Sequence, residues 1–134
     1  MCARKSGVIV NIVGAAARMP NHRYIAGCMA NIALCMFTQC LGGESMRHGV
    51  RVVGINPGPT VPGRHLEHVK ARAKRIFGDE NRWPELHAKW PSGRAANASE
   101  VAEMVAFLAS DRAGFISGAV IEVDGGHSVH RPDA

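Results

Sequence analysis

The sequence predicts an α/β fold built on parallel strands, and three observations carry that expectation. Two β-branched runs, at 8–13 and 50–55, read as short strands covered on both faces. Between them, residues 22–41 are apolar nearly all the way round, which reads as a long helix packed on more than one side. A strand, a helix of that length and a second strand form a right-handed crossover unit with the two strands parallel.

The rest of the chain bounds what this unit can belong to. At 134 residues it is one domain, and 46% hydrophobic with 20% charged residues argues against disorder. The net charge is +5, and eight of the sixteen Lys and Arg lie between Arg64 and Arg94. They alternate with Glu67, Asp79, Glu80 and Glu85, the pattern of a solvated helix surface rather than a nucleic-acid stripe. At 5% aromatics, platforms for stacking bases are scarce. Cys28, Cys35 and Cys40 lie along one predicted helix and cannot pair comfortably, so with Cys2 they read as reduced thiols of a cytoplasmic protein. The basic start before Gly7 imitates a signal peptide, and 25–41 approaches a membrane span. Asn11 interrupts the first, and Asn31, Thr38 and Gln39 break the second, so neither is read as membrane targeting.

Taken in order, the first strand ends at Gly14, and a polar turn through Pro20 and Asn21 leads to Tyr24, the only tyrosine. The helix is expected to stop at Gly42-Gly43, a pair suited to a C-terminal cap. The second strand is expected to stop at Asn56-Pro57-Gly58-Pro59, where proline ends the ladder and glycine lets backbone approach a ligand. Two helices, 64–77 and about 80–90, follow as an excursion of about 64–97 past a strand's carboxyl end, where a substrate lid sits in open α/β sheets. Ser99 is expected to cap a helix running to Ala109, and a last short strand covers 119–123. The tail 128–134 is expected to be loose, with His127 and His130 in solvent. His65 and His68, three apart on a helix, lack a third ligand of defined spacing, so no metal is expected.

The order and wording of these parts resemble the C-terminal half of the short-chain dehydrogenase/reductase family. The matching stretches are Gly7-Val8-Ile9-Val10-Asn11-Ile12, Tyr24 at the head of its helix, Gly49-Val50-Arg51-Val52 and Asn56-Pro57-Gly58. Glu100-Val101-Ala102, Phe107-Leu108-Ala109-Ser110-Asp111, Ile116-Ser117-Gly118 and Val123-Asp124-Gly125-Gly126 complete the set. The resemblance implies half of a doubly wound, Rossmann-like parallel sheet: about three strands, flanking helices and a substrate lid in one partial domain, 1–134. It also implies an NAD- or NADP-dependent oxidoreductase that moves hydride between nicotinamide and a carbonyl or alcohol carbon. Tyr24 would be the catalytic acid or base, and Pro57, Gly58 and Thr60 would contact the cofactor.

Departures from the family pattern are equally specific. No Gly-x-Gly occurs, so the turn that seats a cofactor pyrophosphate is missing, and the chain is expected to be a truncated gene product or a fragment whose Met1 was internal in a longer parent. The family's Tyr-x-x-x-Lys is here Tyr24-Ile25-Ala26-Gly27-Cys28, with Cys28 in the lysine position. A phenol with no cation beside it, at the ordinary pKa of ~10, is only ~0.1% ionised at pH 7, so most of the base function should be lost. Gly14 falls near the family serine, and Pro62 stands where a threonine would touch the pyrophosphate. The alternative is a non-catalytic fragment or interaction module, pairing with a full-length relative through the 22–41 helix and an open strand edge. A small carbonyl or alcohol substrate, a homo-oligomer through 22–41, and no nucleic-acid or membrane partner complete the expectation.

Overall fold

The computed structural model describes residues 1–131 and, for Arg64, the backbone; the end of the expected tail lies outside the described residues. Strand β1 (Gly7–Ile12), strand β2 (Val50–Pro57) and strand β5 (Val120–Val123) form a parallel sheet in the order β1-β2-β5. Helix α1 (Ile25–Ser45) makes the first crossover. Helix α2 (Arg64–Phe77) and a 3-10 segment, Glu80–His87, form the excursion, and helix α3 (Ala98–Ala109) returns the chain toward β5. Strand β3 (Thr60–Val61) and strand β4 (Ala96–Asn97) close the excursion with a two-residue parallel pair that no run in the sequence announced.

Helices α1 and α3 both pack on the sheet, and the core follows the alternation of β2. Val53 and Ile55 join Leu108 and Ala113, with Val8, Val10, Val105 and Ile121 packed around them. Fully burying a side chain of this size is worth about 1.5–3 kcal/mol. Toward α1, Asn11 donates from Nδ2 to Thr38 Oγ1 at 2.8 Å, and Thr38 in turn donates to the Leu34 carbonyl. The polar interruption in the first strand is therefore a satisfied contact rather than a flaw. Arg51 is buried with no carboxylate partner among the described residues; it donates to the carbonyls of Leu108 and Ser110 at 2.7 and 2.9 Å, completing the carboxyl end of α3.

Several boundaries differ from the sequence expectation, each for a physical reason. Helix α1 runs through Gly42-Gly43 to Ser45 and a 3-10 turn, and the chain leaves it at Gly49, whose φ is +66°. Gly42 serves close approach instead: a Cβ there would lie 2.3 Å from the Gly118 nitrogen. Strand β2 continues through Pro57, because Gly54–Pro57 pair in register with Val120–Val123. The second lid segment is a 3-10 helix with Pro84 inside it, and a residue without an N–H interrupts an α ladder. Asn97, not Ser99, caps α3, in a reciprocal box with Glu100. His127 is half-buried against Trp90, ring centroids 4.2 Å apart, so the expected solvent-facing tail begins later.

Two features bear on partners. Strand β1 pairs only with β2 among the described residues and so forms one edge of the sheet. The stretch Ile25–His48 is long and apolar enough to cross a membrane by length and composition, yet its inner side packs on β2 and β5.

Candidate active site

At the carboxyl ends of β1 and β2 the chain leaves a hollow of about 330 Å³, lined by 13–16, Tyr24, Asn31, 57–59 and His65. This is where open α/β sheets take their ligands. The floor is fixed by Asn56, which is fully buried. Its Oδ1 accepts from the Gly14 N–H at 3.0 Å and its Nδ2 donates to Glu122 at 2.6 Å; Arg18 completes the chain of bonds by donating to Glu122 at 2.9 Å.

Tyr24 is the N-cap of α1 and half-exposed. Its ring lies over Gly27: a Cβ at that glycine would sit 1.9 Å from Tyr24 Cε1. Glycine three residues on is thus what lets the phenol fold back along the first turn. Cys28 does not line the hollow; its Sγ lies 3.9 Å from the Asn21 carbonyl. Asn31, two turns after Tyr24, donates to the Gly27 carbonyl at 2.7 Å, and its Oδ1 stands 3.0 Å from where a side chain on Gly14 would begin. A side chain at Gly14 would crowd that oxygen, so glycine and Asn31 fit together.

Of the residues singled out in the sequence, Tyr24, Pro57 and Gly58 line this one hollow; Thr60 does not. Its hydroxyl donates to the Gly58 carbonyl at 2.9 Å as the chain enters β3. Gly58 has its own steric reason, since a Cβ there would lie 2.8 Å from that of Asp124. Among the described residues no group of three or more His, Cys, Asp or Glu converges to hold a metal, and all four cysteines are free. Burial pushes the Cys35 thiol up, away from a reactive thiolate. Asn31 and His65 were missed by sequence reasoning. Asn31 stands seven residues from Tyr24, two turns along one helix face, and that spacing could have found it. The place of His65 depends on how the excursion folds back.

A family model described as Enoyl-(Acyl carrier protein) reductase matches residues 1–128. The solved structure of a Burkholderia thailandensis oxidoreductase of the short-chain dehydrogenase/reductase family superposes with a TM-score of 0.80 at 27% identity, over 98% of this chain and 48% of that one. The chain belongs to the short-chain dehydrogenase/reductase family. Within this family it is 33% identical to 2-(S)-hydroxypropyl-CoM dehydrogenase 3 of Xanthobacter autotrophicus, over 94% of this chain and 48% of the relative. It is 32% identical to a protein of the same organism named inactive 2-(S)-hydroxypropyl-CoM dehydrogenase 2, over 94% of this chain and 53% of the relative. The chain spans about half the length of the curated relatives it matches. Family membership establishes oxidoreductase ancestry and the Rossmann-like sheet, of which these strands and helices are a part.

Proposed function

We propose that this chain carries the proton-transfer half of a nicotinamide-dependent oxidoreductase site, acting on a small carbonyl or alcohol. The observation that supports it is the single hollow shared by Tyr24 with Pro57 and Gly58 at the carboxyl ends of β1 and β2. Tyr24 would give its phenol proton to a carbonyl oxygen in reduction, or take one from an alcohol in oxidation. NAD or NADP, when bound, supplies or accepts the hydride. Small residues at 14–16 and Gly58 leave room for a flat ring near Pro57 and Gly58, with Thr60 just beyond the hollow, so the residues present fit the nicotinamide end. They do not fit the phosphate end, since no glycine-rich turn is present in the sequence. With Cys28 in the lysine position, proton transfer at Tyr24 would be slow.

Titration of the purified chain with NADH and NADPH, followed by nicotinamide fluorescence, tests this reading. We expect no saturation at micromolar cofactor; tight binding by this chain alone would overturn the half-site reading. Any residual turnover should fall at least about tenfold in Tyr24→Phe, and unchanged turnover would remove Tyr24 from the chemistry.

A second reading rests on the outer face of α1, where Ile25, Met29, Ile32, Met36 and Phe37 are each more than half exposed. A contiguous apolar face of this kind marks an interaction surface, and the open edge of β1 offers unpaired backbone. We propose pairing with a second copy or a full-length relative through 22–41, in the cytoplasm and without membrane or nucleic-acid partners. Sedimentation of the purified chain would detect it; a monomer at high micromolar concentration would sink it.

A further inference from the structure

A row of four rings runs from the hollow beside Tyr24 into the lid. His65 on α2 meets His87 of the 3-10 segment with the two Nε2 atoms 3.2 Å apart. His87 stacks on Trp90 at 4.1 Å between centroids, and Trp90 packs on His127 at 4.2 Å. His87 is 1% exposed. Its Nδ1 and that of His127 are buried with no hydrogen-bond partner among the described residues, a deficit that calls for an explanation. One ring donates to the other across this contact, in an order set by their tautomers.

The groups that face the pair push in one direction. Burial lowers the pKa of His65, and His68 and His127 lower it further. Burial likewise lowers that of His87, with His65, His127 and Arg72 adding to it. Asp124 lies beside His127 and is already bound by the backbone N–H groups of Gly126 and Ser128. Burial thus favours the neutral form of both rings, the Arg72 cation acts on His87, and His65 opens the pair to the hollow.

We propose that the hollow takes a small hydroxy- or oxo-carboxylate, whose carboxylate is received by the His65–His87 pair as that pair takes up one proton. The proton comes from solvent, so the negative charge entering the site and the positive charge formed on the pair cancel. A charge-assisted hydrogen bond replaces a neutral contact, and the acid end is held while the hydroxyl or carbonyl end lies toward Tyr24. The proposal rests on the reading of Tyr24 as the proton-transfer residue, and it deepens that reading by naming the substrate class.

The test is calorimetric titration of the full chain with 3-hydroxybutyrate in buffers of different ionisation enthalpy, beside 1,3-butanediol as the uncharged counterpart. We expect hydroxybutyrate to bind with uptake of close to one proton at pH 7.5, and to weaken by up to about tenfold per pH unit above that. Butanediol should bind at least about tenfold more weakly. His65→Gln, checked for folding by circular dichroism, should lose both the proton uptake and the preference for the acid. Tyr24→Phe should keep both, so a failure of the proton-transfer reading shows in turnover while a failure of this one shows in proton-linked binding. Equal binding of the diol, no proton uptake, unchanged behaviour of His65→Gln, or no binding at all would each overturn the proposal. Inorganic phosphate competing at equal concentration would overturn the carboxylate assignment in favour of an unselective anion site.

Discussion

The two faces of α1 are built from opposite kinds of residue. On the face toward the sheet, the buried positions are Thr38, Gly42 and Ser45, small or polar side chains. On the outer face stand Met29, Ile32, Met36 and Phe37, between 51% and 65% exposed. Apolar composition alone would assign the faces the other way round. Close approach decides it: Ser117 donates to the Gly42 carbonyl at 2.8 Å, the Gly118 N–H donates to Val52 at 2.7 Å, and only a helix without bulk at 42 fits there. The inner face is therefore specified by shape and hydrogen bonding, whereas the outer face carries transferable apolar area.

Breaking the inner face should have the largest effect. Gly42→Val sets a branched side chain against backbone that cannot retreat, and should cost about 4 kcal/mol or more, enough to abolish cooperative urea unfolding in a domain of this size. Thr38→Val keeps the shape but removes the acceptor for Asn11, leaving its half-buried amide without that partner. A loss of about 1–3 kcal/mol is expected in the same assay, and a loss near zero would show that the bond is dispensable. On the outer face, Phe37→Ser should change monomer stability by only about 0.5 kcal/mol. It should nonetheless weaken any self-association seen by sedimentation; association unchanged by Phe37→Ser and Met36→Ser together would move the interface elsewhere.

The smallest effect lies away from the helix and serves as a control on charge. Glu100 accepts from Arg94 and from the Asn97 N–H, which hold its carboxyl down to about 2. A group whose folded pKa is depressed contributes stability above its ordinary pKa of 4.5 and loses it as pH falls toward 2. Glu100→Gln should flatten the acid limb of thermal melts across that window while leaving neutral pH nearly unchanged, since both partners are solvent-exposed.

Much of this architecture was legible because it is written locally. β-Branched runs mark β1 and β2, and the bounds of α2 follow from amphipathic spacing closed by Gly78. The end of α1 was misread because glycine has two uses. Gly42 permits close packing, whereas the positive φ that ends the turn belongs to Gly49. At the hollow, Tyr24, Pro57 and Gly58 stood out as short motifs beside strand ends. His65, His87 and Trp90 come from the lid and His127 from beyond β5, so their assembly depends on tertiary folding that no spacing rule encodes.

Asn56 gives this fold a coupling that its ladder does not. Among the described residues strands β1 and β5 are not paired with each other; each pairs with β2. Yet one amide between them answers to both, offering oxygen to Gly14 and nitrogen to Glu122. Rotated by half a turn, it would set N–H against N–H and oxygen against oxygen, so only one orientation is stable. The separation of the strand ends at the hollow is thereby keyed to the orientation of a single side chain. A substitution on β5 that disturbs Glu122 would be felt at Gly14, beneath the tyrosine, without altering a single β-ladder bond.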